Sequence, residues 1–328
     1  MRVAVVGGTE FIGRRVVEWL AARGDEVLVA HRGRTEPDDL PPVEHVHVDR
    51  RDFTGVADRV RGFAPDAVVD SNALTAADVG AVLPHLPDVP LVLLSSMDVY
   101  RVYELLNAGD DAPLPVPFDE DAPLRVGRYP YRGKGWGDDD YDKLDVEPPY
   151  LARGASVLRL AMVYGPRDPQ RREEFVLRRV RAGRDRIPMG TGATLFTRVH
   201  VDDCAGAVLA ALDRPDVAAG RVFNIGEDGS YSVRAWARLI LRAAGHPAEL
   251  VTVPDDLLPA DLRLTRYVPQ HLLATSARAG HLLGWRPSDT ATRVADSVRW
   301  HLANPPGDAS TDFTADDAAL AAAASPAR

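Results

Sequence analysis

Arg2-Val3-Ala4-Val5-Val6-Gly7-Gly8-Thr9-Glu10-Phe11-Ile12-Gly13 decides how the rest of the chain reads. A short valine-rich run stops at two glycines. From Ile12 to Arg23 the apolar residues Val16, Val17 and Leu20 recur at helical spacing until Gly24 ends the pattern. The order is strand, glycine turn, helix. Gly7 permits a tight turn and Gly13 permits close packing of helix on sheet. The helix N-terminus then directs its free N–H groups and positive dipole at an anion, in this context a pyrophosphate. Thr9, Glu10, Phe11 and Ile12 fill the turn and are expected beside the phosphates. Glu10 departs from the usual glycine at the middle position, so its carboxylate must point away or the pyrophosphate is held differently.

Outward from this turn, apolar runs at Glu26 to Ala30, Val43 to Val48, Ala67 to Val69 and Leu91 to Leu94 alternate with helical stretches such as Thr75 to Leu86. That rhythm predicts an α/β fold, a doubly wound parallel sheet of the Rossmann kind covered on both faces. The end of the second strand reads His31-Arg32-Gly33-Arg34, without the acidic residue that would accept ribose hydroxyls and select NAD. Arg32 and Arg34 instead suit a 2′-phosphate, so NADP is expected, with NAD as second choice. Asp49, ending the third strand, is a candidate acceptor for the adenine amino group, and Asn72 and Met162 complete the expected cofactor contacts. His45 and His47 alternate on one strand, but with no third ligand in view they read as a solvated strand face, and no metal is expected.

The chain has 328 residues, 45% of them hydrophobic, and a net charge of −9. That charge argues against a nucleic-acid partner. The lone Cys204 fits a reducing, cytoplasmic setting, and no stretch reads as a membrane span or signal peptide. Residues 107–137 break the rhythm with Pro113, Pro115, Pro117, Pro123 and Pro130 beside Gly127, Gly133, Gly135 and Gly137, and their aromatics (Phe118, Tyr129, Tyr131, Trp136) predict a lid or pocket wall. The expected organisation is a dinucleotide-binding domain over 1–165, a mainly substrate-binding part with returning Rossmann elements over 166–304, and a flexible, frayed tail over 305–328.

Six motifs in order carry a family resemblance. They are Gly7 to Gly13, Leu93 to Tyr100, Leu158 to Pro166, Val199 to Asp203, Phe223-Asn224-Ile225-Gly226, and Ala277-Arg278-Ala279 with Leu282 to Trp285. Together the chain resembles the extended, atypical short-chain dehydrogenases/reductases of the NAD-dependent epimerase/dehydratase family. The resemblance implies a smaller, discontinuous C-terminal substrate domain, a small-molecule substrate and a homodimer. It also implies a catalytic Ser/Thr, Tyr and Lys: a hydroxyl to orient the substrate oxygen, a phenol to move the proton, and an ammonium to grip the nicotinamide ribose.

Ser96 matches the first of these. On a helix expected to start near Asp138, Lys143 and Glu147 have the family's Lys-to-Glu spacing, but the position four before Lys143 holds Asp139 instead of tyrosine. Tyr141 lies two residues from Lys143, on the opposite side of a regular helix; it re-enters only if the helix starts later. The proton donor is therefore open among Asp139, Tyr141, Asp98, Tyr129, Tyr131 and the substrate's own hydroxyl. Arg198 is a further substrate-contact candidate. The expected activity is NADP-dependent hydride transfer to or from a sugar-like or polyketide-like substrate; the alternative is a non-catalytic NADP sensor or interaction protein.

Overall fold

The structure, a computed structural model, describes residues 1–108, 114–135, 137–268, 270–307 and 310–324. Pro113 and Trp136, expected to shape the lid, lie outside the described residues. Six strands, β1 (Arg2–Val6), β2 (Glu26–His31), β3 (Glu44–His47), β4 (Ala67–Asp70), β5 (Leu91–Ser96) and β6 (Ser156–Leu160), join the strand Val222–Ile225 in one sheet. Its order is Val222–Ile225, β6, β5, β4, β1, β2, β3, and every pairing is parallel. The order reverses between β1 and β4, which opens a crevice at the carboxyl ends of those strands.

The valine-rich strands make this sheet because both faces are buried. In β1, Val3 and Val5 enter one core while Ala4 and Val6 enter the other, as the two-residue period of a strand requires. The helix Phe11–Arg23 lays Val16, Val17 and Leu20 on the first face, and Gly24 closes it in the left-handed conformation, φ 87°.

A third core lies in the second half. The helices Glu174–Arg181, Val233–Ala243 and Thr290–Ala303 pack Phe175, Trp236, Ile240 and Val298 together beside a small sheet of Arg186–Met189 and Glu249–Thr252. The tail after residue 305, expected to be frayed, instead contains the helix Thr314–Ala324. Its Ala319 joins the third core, and its buried Asp316 accepts from the guanidinium of fully buried Arg179 at 2.6 and 2.9 Å. Composition misled here, because an alanine-rich segment needs only one small apolar face and one ion pair to dock. Among the described residues, no helix is long and apolar enough to cross a membrane.

Candidate active site and dinucleotide cleft

The crevice at the strand reversal is a cleft of about 600 Å³, within the range of cofactor sites. Gly7, at φ 80°, turns the chain out of β1 and donates its N–H to Ala30 O at 2.9 Å. The Ser71 hydroxyl donates to Val6 O at 3.1 Å and to Gly7 O, tying the turn to the end of β4. A Cβ on Gly13 would stand 2.2 Å from Gly7 O, so only glycine lets the helix come this close. The first turn of that helix holds no acidic residue. Glu10 is its N-cap, makes no side-chain cap and is exposed at the cleft wall.

Thr9, Phe11 and Ile12 line the same cleft, as do Arg32, Arg34, Asp49 and Asn72. Arg32 and Arg34 are exposed and, among the described residues, form no ion pair, which leaves both guanidinium groups for an anion. Asp49 accepts from the Arg51 N–H at 3.0 Å. The sequence reading missed Arg50. One of its nitrogens grips both carboxylate oxygens of buried Asp70 at 2.7 and 2.8 Å, while its Nη1 is buried on the cleft wall 4.0 Å from Asp78 Oδ2, with no hydrogen-bond partner among the described residues. Its place one residue after the third strand's final acid was the available signal.

Two expected cofactor contacts are not part of this lining. Met162 pairs with Arg198 in a short parallel ladder that follows β6. Lys143 is buried, and its ammonium donates to Ala73 O at 2.6 Å and Leu94 O at 3.0 Å. Burial pushes its pKa down to about 8. Lys143 thus stitches together the ends of β4 and β5.

Beyond the cleft edge, the segment before that lysine decides the chemistry. The helix begins at Lys143, with Asp142 as N-cap, five residues later than the sequence suggested. Asp139 is consequently not on a helix. It is exposed, and its carboxylate accepts from the Gly133 N–H at 2.9 Å. Tyr141 comes inward instead: its hydroxyl donates to Asp98 Oδ2 at 2.9 Å, and Tyr131 donates to the same oxygen at 3.1 Å. The two rings lie 5.3 Å apart. Asp98 Oδ1 is buried with no partner among the described residues, and the Asp98 N–H donates to Ser96 Oγ at 3.1 Å where β5 ends. Burial raises the Asp98 pKa against the pull of the Tyr141 hydrogen bond. Burial and the neighbouring Asp98 charge push the Tyr141 phenol well above its ordinary value.

Asp142 anchors this arrangement. Its buried carboxylate accepts from Arg125 at 3.2 Å, Arg128 at 2.7 Å, and the N–H groups of Tyr129 and Leu144 at 3.0 and 2.9 Å. Burial alone would raise its pKa; these donors outweigh that and hold it at about 2. Tyr129, another donor candidate, lies under the Arg132 guanidinium at 4.0 Å and is not brought to Asp98. Arg198, expected to meet substrate, is buried: it donates to Phe196 O and Tyr231 O at 3.1 and 3.2 Å and stacks on Trp236 at 4.3 Å. It braces the second half of the molecule.

Residues 3–84 and 150–226 match the model of the NAD dependent epimerase/dehydratase family. The 2'-dehydrokanamycin reductase of Streptomyces kanamyceticus is 30% identical over 267 residues, which are 78% of this chain and 70% of that protein. The chloroplast stem-loop binding protein of 41 kDa b of Arabidopsis thaliana is 26% identical over 338 residues, 97% of this chain and 84% of its own. Among solved structures, the UDP-glucose 4-epimerase of Bifidobacterium longum, in complex with NAD+ and UDP, superposes with a TM-score of 0.68 at 20% identity. The alignment covers 93% of this chain and 99% of that one.

Proposed function

Because the chain belongs to the NAD dependent epimerase/dehydratase family and is an enzyme of its nicotinamide-dependent oxidoreductase type, we propose that it reduces a carbonyl of a sugar-like or polyketide-like small molecule with NADP as cofactor and Tyr141 as proton donor. The observation that carries this reading is the half-buried cluster of Ser96, Tyr131 and Tyr141 around buried Asp98 at the carboxyl end of β5, next to the cleft. Asp138, on the cleft wall, accepts from the Tyr141 N–H at 3.0 Å, so the two sites are joined by one turn of chain.

The cleft fits a dinucleotide on two counts. The turn from Gly7 to Gly13 sets the N-terminus of a helix with no acidic residue in its first turn on the cleft lining, and Arg50 Nη1 is a buried donor with no hydrogen-bond partner among the described residues. Arg32 and Arg34 would hold a 2′-phosphate, which is the basis for NADP over NAD. When bound, the cofactor supplies the hydride that reaches the carbonyl carbon. Ser96 and Tyr141 orient the carbonyl oxygen by hydrogen bonds. Tyr141 keeps its proton at rest and gives it to that oxygen as negative charge develops there. Asp98 and Tyr131, within hydrogen-bond reach of each other and Asp98 of Tyr141, are placed to return a proton to the phenolate. Lys143 positions the strand ends that carry Asn72 and Ser96. The plant relative is named for stem-loop binding; the net charge of −9 on this chain favours the small-molecule reading.

The test pairs NADPH and NADH titrations with NADPH oxidation across a panel of ketones and aldehydes. Arg32→Ala with Arg34→Ala should remove the preference for NADPH. Tyr141→Phe should lower turnover roughly 10²- to 10⁴-fold with dinucleotide affinity unchanged, whereas Asp139→Asn should retain activity. Equal affinity for the two dinucleotides in wild type would sink the NADP assignment, and full activity in Tyr141→Phe would sink the donor.

A further inference from the structure

We propose that His31, Glu36 and His45 bind one divalent transition-metal ion of the zinc class at the outer edge of the sheet. The parallel register of β2 and β3 sets His31 beside His47 and Val29 beside His45. His45 and His47, two residues apart, share the face on which His31 also stands. The connection from β2 to β3 then folds Glu36 back over that face. Sequence spacing showed only two histidines of one strand; the sheet register and the returning loop supply the other two groups.

The geometry is close to that of a filled site. His31 Nε2 and His45 Nδ1 are 2.9 Å apart, Glu36 Oε1 is 3.8 Å from His45 Nδ1, and Glu36 Oε2 is 4.0 Å from His31 Nε2. Two atoms bound at zinc-ligand distances in a tetrahedral array lie roughly 3.4 Å from each other. One donor atom from each of His31, Glu36 and His45 lies within 4.8 Å of the other two, so side-chain rotations bring all three onto one ion. Two imidazoles and a carboxylate form a recurrent zinc ligand set that leaves one position for water. The cluster also has an outer partner, since His47 Nε2 meets Glu36 Oε2 at 2.8 Å and orients the carboxylate.

Coordination through His31 Nε2 moves the ring proton to Nδ1 and gives up the long 3.2 Å contact with the Gly33 N–H. That exchange gives up this contact and the 2.9 Å hydrogen bond between His31 and His45, and gains the bonds to the ion. It also fastens the loop carrying Arg32 and Arg34 to β3.

The untagged full chain, stripped with chelator, is titrated with Co²⁺ and with Zn²⁺ alone by calorimetry and visible absorption. One equivalent should bind, Co²⁺ should show the intense visible bands of a four-coordinate centre, and Zn²⁺ should displace it. His47→Gln should weaken binding about 10- to 100-fold, and His45→Gln by more, while His246→Gln, remote from the cluster, should bind like wild type. Glu36→Gln, on an exposed loop, gives the same reading should His45→Gln fail to fold. Less than one equivalent in wild type, or unchanged affinity in both Glu36→Gln and His45→Gln, overturns the proposal.

Discussion

Gly13→Ala isolates the phosphate-binding turn from the rest of the fold. The added methyl carbon would lie 2.2 Å from Gly7 O, 2.8 Å from Ser71 Oγ and 3.1 Å from the Gly7 carbonyl carbon. Ordinary contact requires these atoms to separate by about 1 Å or more. The Gly7 peptide cannot move alone, because its N–H is bonded to Ala30 O and its carbonyl to Ser71. The helix must therefore lift off β1 or the turn must open. Overpacking of this kind costs about 1–3 kcal/mol of stability. A displacement of about 1 Å at a positioning group costs on the order of 100-fold, so NADPH affinity should fall by about that factor, close to 2.7 kcal/mol. Gly24→Ala is the matched control. It meets no atom within 4 Å, yet its φ of 87° makes a side chain unfavourable by about 1–2 kcal/mol. Urea denaturation followed by circular dichroism should show both variants weakened by similar amounts. Fluorescence titration with NADPH should show only Gly13→Ala impaired. A Gly13→Ala protein that binds NADPH within about threefold of wild type would refute the placement of the dinucleotide on this turn.

Three other substitutions probe the elements that hold the site. Glu147→Gln removes the charge opposite buried Arg159, which reaches it at 2.7 and 3.0 Å, and should cost about 3–5 kcal/mol in urea denaturation; a loss under about 1 kcal/mol would mean the pair is not a buried ion pair. Asp142 has a folded pKa of about 2 against an ordinary 3.8, so its stabilisation, about 2 kcal/mol at most, is complete above the ordinary value and lost as pH falls toward the folded one. The stability gap between wild type and Asp142→Asn should narrow as pH falls from about pH 5 towards pH 1, and a gap independent of pH contradicts the assignment. Asp316→Ala leaves Arg179 with Asp261 alone and should destabilise the chain by about 3 kcal/mol, with no change at all indicating that the last helix is not docked.

The first twelve residues carried the fold because their pattern and their glycines are both local properties. A run buried on two faces reads as continuous valine, and a turn that tolerates no Cβ reads as glycine. The cleft residues Arg32, Arg34, Asp49 and Asn72 were legible for the same reason: each comes within three residues of a strand's end, and the carboxyl ends of strands line the crevice. Lys143 shows where the method stops. Its spacing to Glu147 correctly put both on one face of one helix, but which atoms meet the ammonium depends on how that helix seats against β4 and β5. Arg198 failed similarly, since a buried guanidinium bonded to two carbonyls and stacked on tryptophan has the same local sequence as an exposed one.

Tyr141 turns on a helix boundary, the feature sequence patterns specify least well. Within a regular helix a residue two before Lys143 faces the other way, and on that premise Asp139 inherited the position. The chain refuses the premise through Asp142. As N-cap, its side chain takes the Leu144 N–H, while Arg125, Arg128 and the Tyr129 N–H draw the same carboxylate into the body of the protein. That anchor starts the helix at Lys143 and leaves Tyr141 ahead of it, at the end of the turn from Asp138 and free of the helical constraint. Its ring can then fold inward beside Tyr131 and reach Asp98 from the loop side. The turn before the helix thus brings a tyrosine to Asp98, and the arginines and the Tyr129 N–H gathered on Asp142 do the positioning that one helical turn would otherwise provide.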